Sequence, residues 1–125
     1  MKKIISPGGF PPAVGYSRAI RAGNFLFICA QTPEDPEGKP IDENFESQAK
    51  QVFENLKKIM DAAGGDLSNI VEMTVYLTDM KNVDSFRKVR RHYFKDYWPV
   101  CNIVEVSGLL SEKWMLVIKA TAYFE

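Results

Sequence analysis

From Phe45 to Ala63 apolar residues return at helical intervals, and from Ile70 to Thr78 they return at every second position. That change of period within one short span commits the chain to packing a helix against a sheet. The first stretch carries Ala49, Val52, Phe53, Leu56, Ile59, Met60 and Ala63 along one stripe, the pattern of an amphipathic helix with a single core-facing side. Asn44 stands where an N-cap is needed and Gly64-Gly65 where the helix must stop. Asparagine accepts from the free first-turn N–H groups, and glycine tolerates the left-handed residue past the end. In IVEMTVYLT, Val71, Met73, Val75 and Leu77 fall on one face, with Glu72, Thr74, Tyr76 and Thr78 on the other. The first face suits a helix-covered core; the second, mixed and aromatic, suits an interface.

The rest of the chain fits around this unit. Residues 1–14, rich in Gly and Pro, read as an irregular arm. YSRAIR (16–21) and FLFIC (25–29) flank a Gly-Asn turn and read as a hairpin. Its second strand is apolar at every position, which predicts cover on both faces. Thr32 to Asn44, with three prolines and a glycine, reads as a loop. A second helix is expected from about Val83 to Tyr97, with Phe86, Val89, Tyr93 and Phe94 inward and Arg87, Lys88, Arg91 and Lys95 mainly outward. NIVEV (102–106) and WMLVIKATAYF (114–124) are the last strands. The order is ββαβαββ, an α+β domain over residues 1–125 with two helices on one face of a mixed sheet. Its uncovered face is expected to bury itself against other subunits.

Composition excludes several classes. Sixteen Lys and Arg balance sixteen Asp and Glu, so no net field draws the protein to nucleic acid or an anionic membrane. The basic run Arg87, Lys88, Arg90, Arg91 and Lys95 lacks interleaved exposed aromatics and reads as a solvated face. No apolar run approaches the roughly 20 residues that span a bilayer, and MKKIISPGGFPP has no signal-peptide core. The expectation is a cytoplasmic protein with no membrane partner. Cys29 and Cys101 are too few for a disulfide scaffold and are expected as free thiols, Cys29 within the core. His92, the one histidine, leaves no two-histidine metal site within one chain. No phosphate loop or dinucleotide fingerprint is present, and no metal or cofactor is expected.

GYSRA (15–19), GNFLFICAQ (23–31), QAKQVFENLKKIMDAAG (48–64), VEMTVYLTDM (71–80) and PVCNIVEV (99–106) occur in an order and spacing that resemble the RidA/YjgF family. These are reactive-intermediate deaminases, also described as L-PSP-type endoribonucleases. The resemblance runs from about Gly15 to Tyr123. It implies a chorismate-mutase-like fold and a homotrimer with its helices outside. It also implies inter-subunit clefts that bind small carboxylates, in which enamine and imine acids are hydrolysed to 2-oxo acids and ammonia.

The chain departs from that pattern where the chemistry lies. Members that deaminate read PAR where this chain reads Pro99-Val100-Cys101. The arginine that clamps the carboxylate is therefore Cys101, and a thiol cannot offer the two parallel donors of a guanidinium. The last strand reads KATA rather than EAIA, so the glutamate implied to handle water and protons is Lys119. The glycine before the glutamine of the second strand is Ala30. Tyr16 keeps the implied side chain, and Ser17, Ala30 and Ile103 are the remaining contact positions.

Arg90 stands where the second helix of the family often presents an asparagine to the cleft. Two readings are open: it reaches the pocket and, with Lys119, binds an anionic ligand, or it solvates its helix. Cys101 is either a nucleophile or redox-sensitive thiol activated by a nearby Lys119, or a small buried hydrophobe. Lys119 is a Schiff-base amine or an ion-pair partner of Glu105 or Glu72. Two functions follow: a deaminase-type hydrolase of small enamine, imine or related carboxylates working through Tyr16, Cys101 and Lys119, with Arg90 where it reaches the pocket and ordinary 2-aminoacrylate hydrolysis disfavoured, and a non-catalytic, regulatory trimer whose clefts bind a metabolite or whose surface binds a protein.

Overall fold

Asn44 Oδ1 accepts from the Ser47 N–H at 3.0 Å and opens helix α1 (Phe45–Ala62). At the other end Gly64 takes φ +85°. Its N–H donates to Asp61 O at 3.1 Å, and the Gly65 N–H donates to Met60 O at 2.9 Å. This paired closure satisfies carbonyls the helix would leave free, and it needs the left-handed residue that glycine supplies cheaply. Both ends therefore stand where the sequence places them.

The computed structural model describes residues 2–125. The elements run β1 (Lys2–Ile5), β2 (Ala19–Ala22), β3 (Phe25–Gln31), α1, β4 (Ile70–Leu77), α2 (Val83–Tyr93), β5 (Val100–Glu105) and β6 (Leu116–Tyr123). They form one sheet in the order β1-β2-β3-β6-β4-β5. Every pairing is antiparallel except β4 with β5, which α2 joins as a crossover. The expected ββαβαββ order is thus present, preceded by one strand inside the arm read as irregular. Lys2–Ile5 pairs with Ala22–Ala19 because β2 would otherwise leave a row of unpaired backbone groups.

Both helices lie on one face and share its core. Ala49, Val52, Phe53, Leu56, Ile59 and Met60 of α1 and Phe86 and Val89 of α2 are buried against Leu26, Ile28, Met73, Val75, Leu77, Leu116, Ile118, Ala120 and Ala122. Phe53 is central to this layer. It stacks on Tyr93 and Phe86 at 4.7 and 5.9 Å between centroids and meets the edge of Phe94 at 6.0 Å. α2 ends at Tyr93, short of the expected Tyr97, because Phe94 turns to extended backbone and is buried. Pro99 bars the helix from continuing through the strand entry.

Two strand readings are corrected. In β4 the core residue is Ile70 rather than Val71, because the register with β6 shifts between Ile70 and Glu72. In β3 burial alternates instead of covering both faces: Leu26 and Ile28 are buried, while Phe25 and Phe27 are 44% and 52% exposed. Phe27 pairs with Ile20, which pairs with Ile4, and Phe25 packs edge-on against Tyr123 at 5.2 Å. The face opposite the helices therefore exposes an apolar patch of Ile4, Phe25 and Phe27. Among the described residues, no helix is long and apolar enough to cross a membrane.

Candidate functional site

β3 carries a bulge at its C-terminal end. Ile28 pairs with Ala120 and Gln31 with Ile118, so Cys29 and Ala30 together stand against the single Lys119 of β6. Two residues opposing one re-aims a strand. Here it keeps Ile28 and Gln31 buried while Ala30 is exposed and Cys29 half-buried. Cys29 is therefore not the core residue the sequence suggests. No non-glycine residue among those described has positive φ, so Ala30 fills the place of the implied glycine without backbone strain.

Beside the bulge lies a groove of about 370 Å³, into which Tyr16, Arg18, Cys29, Ala30, Gln31, Glu34 and Trp114 all face. Buried Asn55 holds its loop wall, donating to Thr32 O at 3.0 Å and Glu34 O at 2.8 Å. The Trp114 indole N–H donates to Glu34 Oε1 at 3.0 Å and ties the far rim to the start of β6. Burial pushes the Cys29 thiol up from its ordinary range, against the opposing pull of the Arg18 charge and a Gln31 hydrogen bond. Cys29 is thus a neutral wall rather than an ionised nucleophile.

Lys119 belongs to this same outer face. It pairs with Thr74, which pairs with Asn102, and its side chain is exposed between the buried Ile118 and Ala120. The ion pair with Glu105 or Glu72 does not form. Glu105 Oε1 instead accepts from the Met80 N–H at 2.8 Å, and Glu72 Oε1 accepts from the Thr121 hydroxyl at 3.2 Å.

Cys101 and Ile103 point the other way. Cys101 pairs with Met73 and Ile103 with Val75, and both pack half-buried at the margin of the helix-covered core. Arg90 reaches them from α2: its Nη1 donates to Cys101 Sγ at 3.4 Å, and its guanidinium lies 5.4 Å from the Phe86 ring centroid. The buried Arg90 Nε–H has no partner. The rest of the basic run does face solvent, where Arg87 pairs with Asp84 and Lys88 with Glu46, each at 3.4 Å.

The predicted residues thus fall into two groups on opposite faces of the sheet. Tyr16, Ala30 and Lys119 stand on or beside the outer face, Ser17 is half-buried outside the groove lining, and Cys101, Ile103 and Arg90 stand at the helix layer. Within one chain, Cys101 and Arg90 do not meet Lys119. Sequence reasoning missed Arg18, Cys29, Glu34 and Trp114 as groove residues. Arg18 lies inside the GYSRA motif, two places from Tyr16, and that adjacency was the available signal. Among the described residues, no cluster of three or more His, Cys, Asp or Glu side chains is arranged to hold a metal ion.

The family model described as Endoribonuclease L-PSP matches residues 9–124. A RutC family protein of Pyrococcus horikoshii is 41% identical over 127 residues, covering all of both chains. The crystal structure of RidA from an Antarctic Psychrobacter superposes with a TM-score of 0.91 at 35% identity, covering 98% of this chain and 99% of that one. The structure of E. coli TdcF with bound serine superposes with a TM-score of 0.91 at 30% identity and the same coverage.

Proposed function

This chain belongs to the RidA/YjgF family, whose model carries the description Endoribonuclease L-PSP, and from that premise we propose that it binds small 2-imino, enamino or 2-oxo carboxylates in clefts between the subunits of a homotrimer. The observation that carries this reading is the 3.4 Å contact from Arg90 Nη1 to Cys101 Sγ. The resemblance implies a carboxylate-clamping arginine at position 101. Here a guanidinium arrives beside that position from α2 instead, with a buried Nε–H still unpartnered. The two Nη–H groups of a guanidinium form one of the fork geometries that pairs with a carboxylate. The exposed apolar patch, and the two groups of residues on opposite faces taken as half-sites, both favour an assembly that joins them.

Within such a cleft the reaction is imine hydrolysis. Water adds across the C=N bond of the 2-imino acid, the nitrogen takes the proton, and ammonia leaves as the C=O bond forms. Arg90 holds the carboxylate, and Tyr16 orients the substrate from the other half-site. Lys119 in its ammonium form donates to the departing nitrogen but cannot accept a proton from the attacking water, as a carboxylate would. That substitution favours a second reading, a trimer that binds the same carboxylates without turning them over.

The test generates 2-imino acids in place with an amino-acid oxidase and follows 2-oxo acid formation, alongside calorimetric binding of 2-oxobutyrate. The hydrolase reading expects faster imine loss with the wild-type protein than without it, and loss of that gain in Arg90→Ala. Binding of 2-oxobutyrate with no acceleration selects the non-catalytic reading. Neither binding nor acceleration overturns both.

A further inference from the structure

Arg18 is the only cationic side chain among those lining the groove beside the β3 bulge. Its guanidinium is fixed rather than free. Nη2 donates to Pro11 O at 2.6 Å, the Phe10 ring lies 4.8 Å from the guanidinium carbon, and the Tyr16 ring lies 6.0 Å from it. A planar cation held by one carbonyl and an aromatic face loses little further freedom when it binds. Among the described residues it forms no ion pair, although Glu34 and Asp35 line the same groove. Neither pairs with Arg18, and both keep their charge: Glu34 accepts from Trp114, and Asp35 Oδ1 accepts from the Glu37 N–H at 2.8 Å. Lys119, opposite Cys29 and Ala30, adds a second unpaired positive charge to this face.

We propose that Arg18 binds a second anionic group of the ligand, so that this cleft takes acids carrying two acidic groups, the second one seated in the groove between Tyr16 and Trp114. The inference rests on the reading of an inter-subunit carboxylate site. In that reading Arg90 takes the carboxylate next to the reacting carbon. Arg18, on the opposite face of the sheet, is then not needed for that group and is free to take the other. A monoacid leaves Arg18 facing water, whereas a diacid pairs it.

The experiment measures calorimetric affinity for two probes, 2-oxobutyrate with one carboxylate and 2-oxoglutarate with two, on the wild-type protein and on Arg18→Gln, Arg18→Lys and Arg90→Gln. Wild type is expected to bind 2-oxoglutarate about tenfold more tightly than 2-oxobutyrate, the size of one charge-assisted pair. Arg18→Gln should abolish that preference, weakening 2-oxoglutarate about tenfold and 2-oxobutyrate much less. Arg18→Lys should retain part of the preference, and Arg90→Gln should weaken both probes. Equal affinity of wild type for the two probes, or a preference that survives Arg18→Gln, overturns the assignment of Arg18 and leaves the carboxylate site standing. Absence of binding by either probe overturns the underlying reading as well. Melting temperatures recorded on the same samples separate a lost contact from a lost fold.

Discussion

Arg90 Nη1 and Cys101 Sγ lie 3.4 Å apart, joining α2 to the entry of β5 at the margin of the core. Putting the family arginine back at position 101 therefore sets two guanidinium groups against each other. Cys101→Arg is expected to lower the unfolding free energy by about 1–3 kcal/mol through like-charge contact and crowding. The double variant Arg90→Ala, Cys101→Arg should recover most of that loss, because removing one charge relieves the other. Urea denaturation of the two single variants and the double variant closes the cycle. Additive effects would mean that the two positions do not interact.

Asn55 is 2% exposed and makes three hydrogen bonds, to Thr32 O, Glu34 O and Gln51 Nε2. Asn55→Ala leaves two loop carbonyls without a protein donor and is expected to cost about 2–4 kcal/mol. The amides after Thr32 should exchange faster, since the loop wall of the groove hangs on this residue. Hydrogen exchange confined to the wild-type rate would show the loop to be held by other contacts.

Phe27, 52% exposed on the bare sheet face, should be covered in the assembled protein. Sedimentation of the wild type is expected at the mass of three copies, and of Phe27→Glu at the mass of one, because a carboxylate cannot be buried unpaired in an apolar contact. A wild-type protein that sediments as one copy would remove the shared cleft.

Tyr93 donates to Glu54 Oε2 at 2.8 Å. Burial, followed by that hydrogen bond and the Glu54 charge, raises the phenol above its ordinary value. A folded-state pKa above the unfolded one means that the folded protein keeps its proton longer. This stabilisation is fully present below about pH 10, the ordinary tyrosine value, and falls as pH rises further. Urea denaturation at pH 8 and pH 11 should show a larger loss for wild type than for Tyr93→Phe. An identical loss would assign the alkaline sensitivity to other groups.

The helix ends were legible because their causes are local. Asn44 and Gly64-Gly65 act on backbone groups within four residues, and the stripe from Ala49 to Met60 needs only the helical period. The amphipathic β4 and the ββαβαββ order followed from the same short-range periods, whereas the resemblance to the family came from the order and spacing of the sequence motifs. The strand Lys2–Ile5 was hidden because an edge strand is selected by the open edge of β2 rather than by its own pattern. The continuous apolar run of β3 hid a different fact. Periodicity cannot say whether Phe25 and Phe27 are covered by the same chain or by another copy.

What the amino-acid order decided by itself is the set of elements from β2 onward and the residue types at the departures: a thiol at 101, an ammonium at 119 and a guanidinium at 90. Which of these share a space was decided by tertiary structure. Pairing Cys101 with Met73 turns it toward the helices, pairing Lys119 with Thr74 turns it away, and the bulge at Cys29 and Ala30 opens a groove to Arg18. The reason is that side chains alternate across a strand, so one residue of register exchanges the two faces. Register between strands distant in sequence is set by the packing of the whole core rather than by either strand.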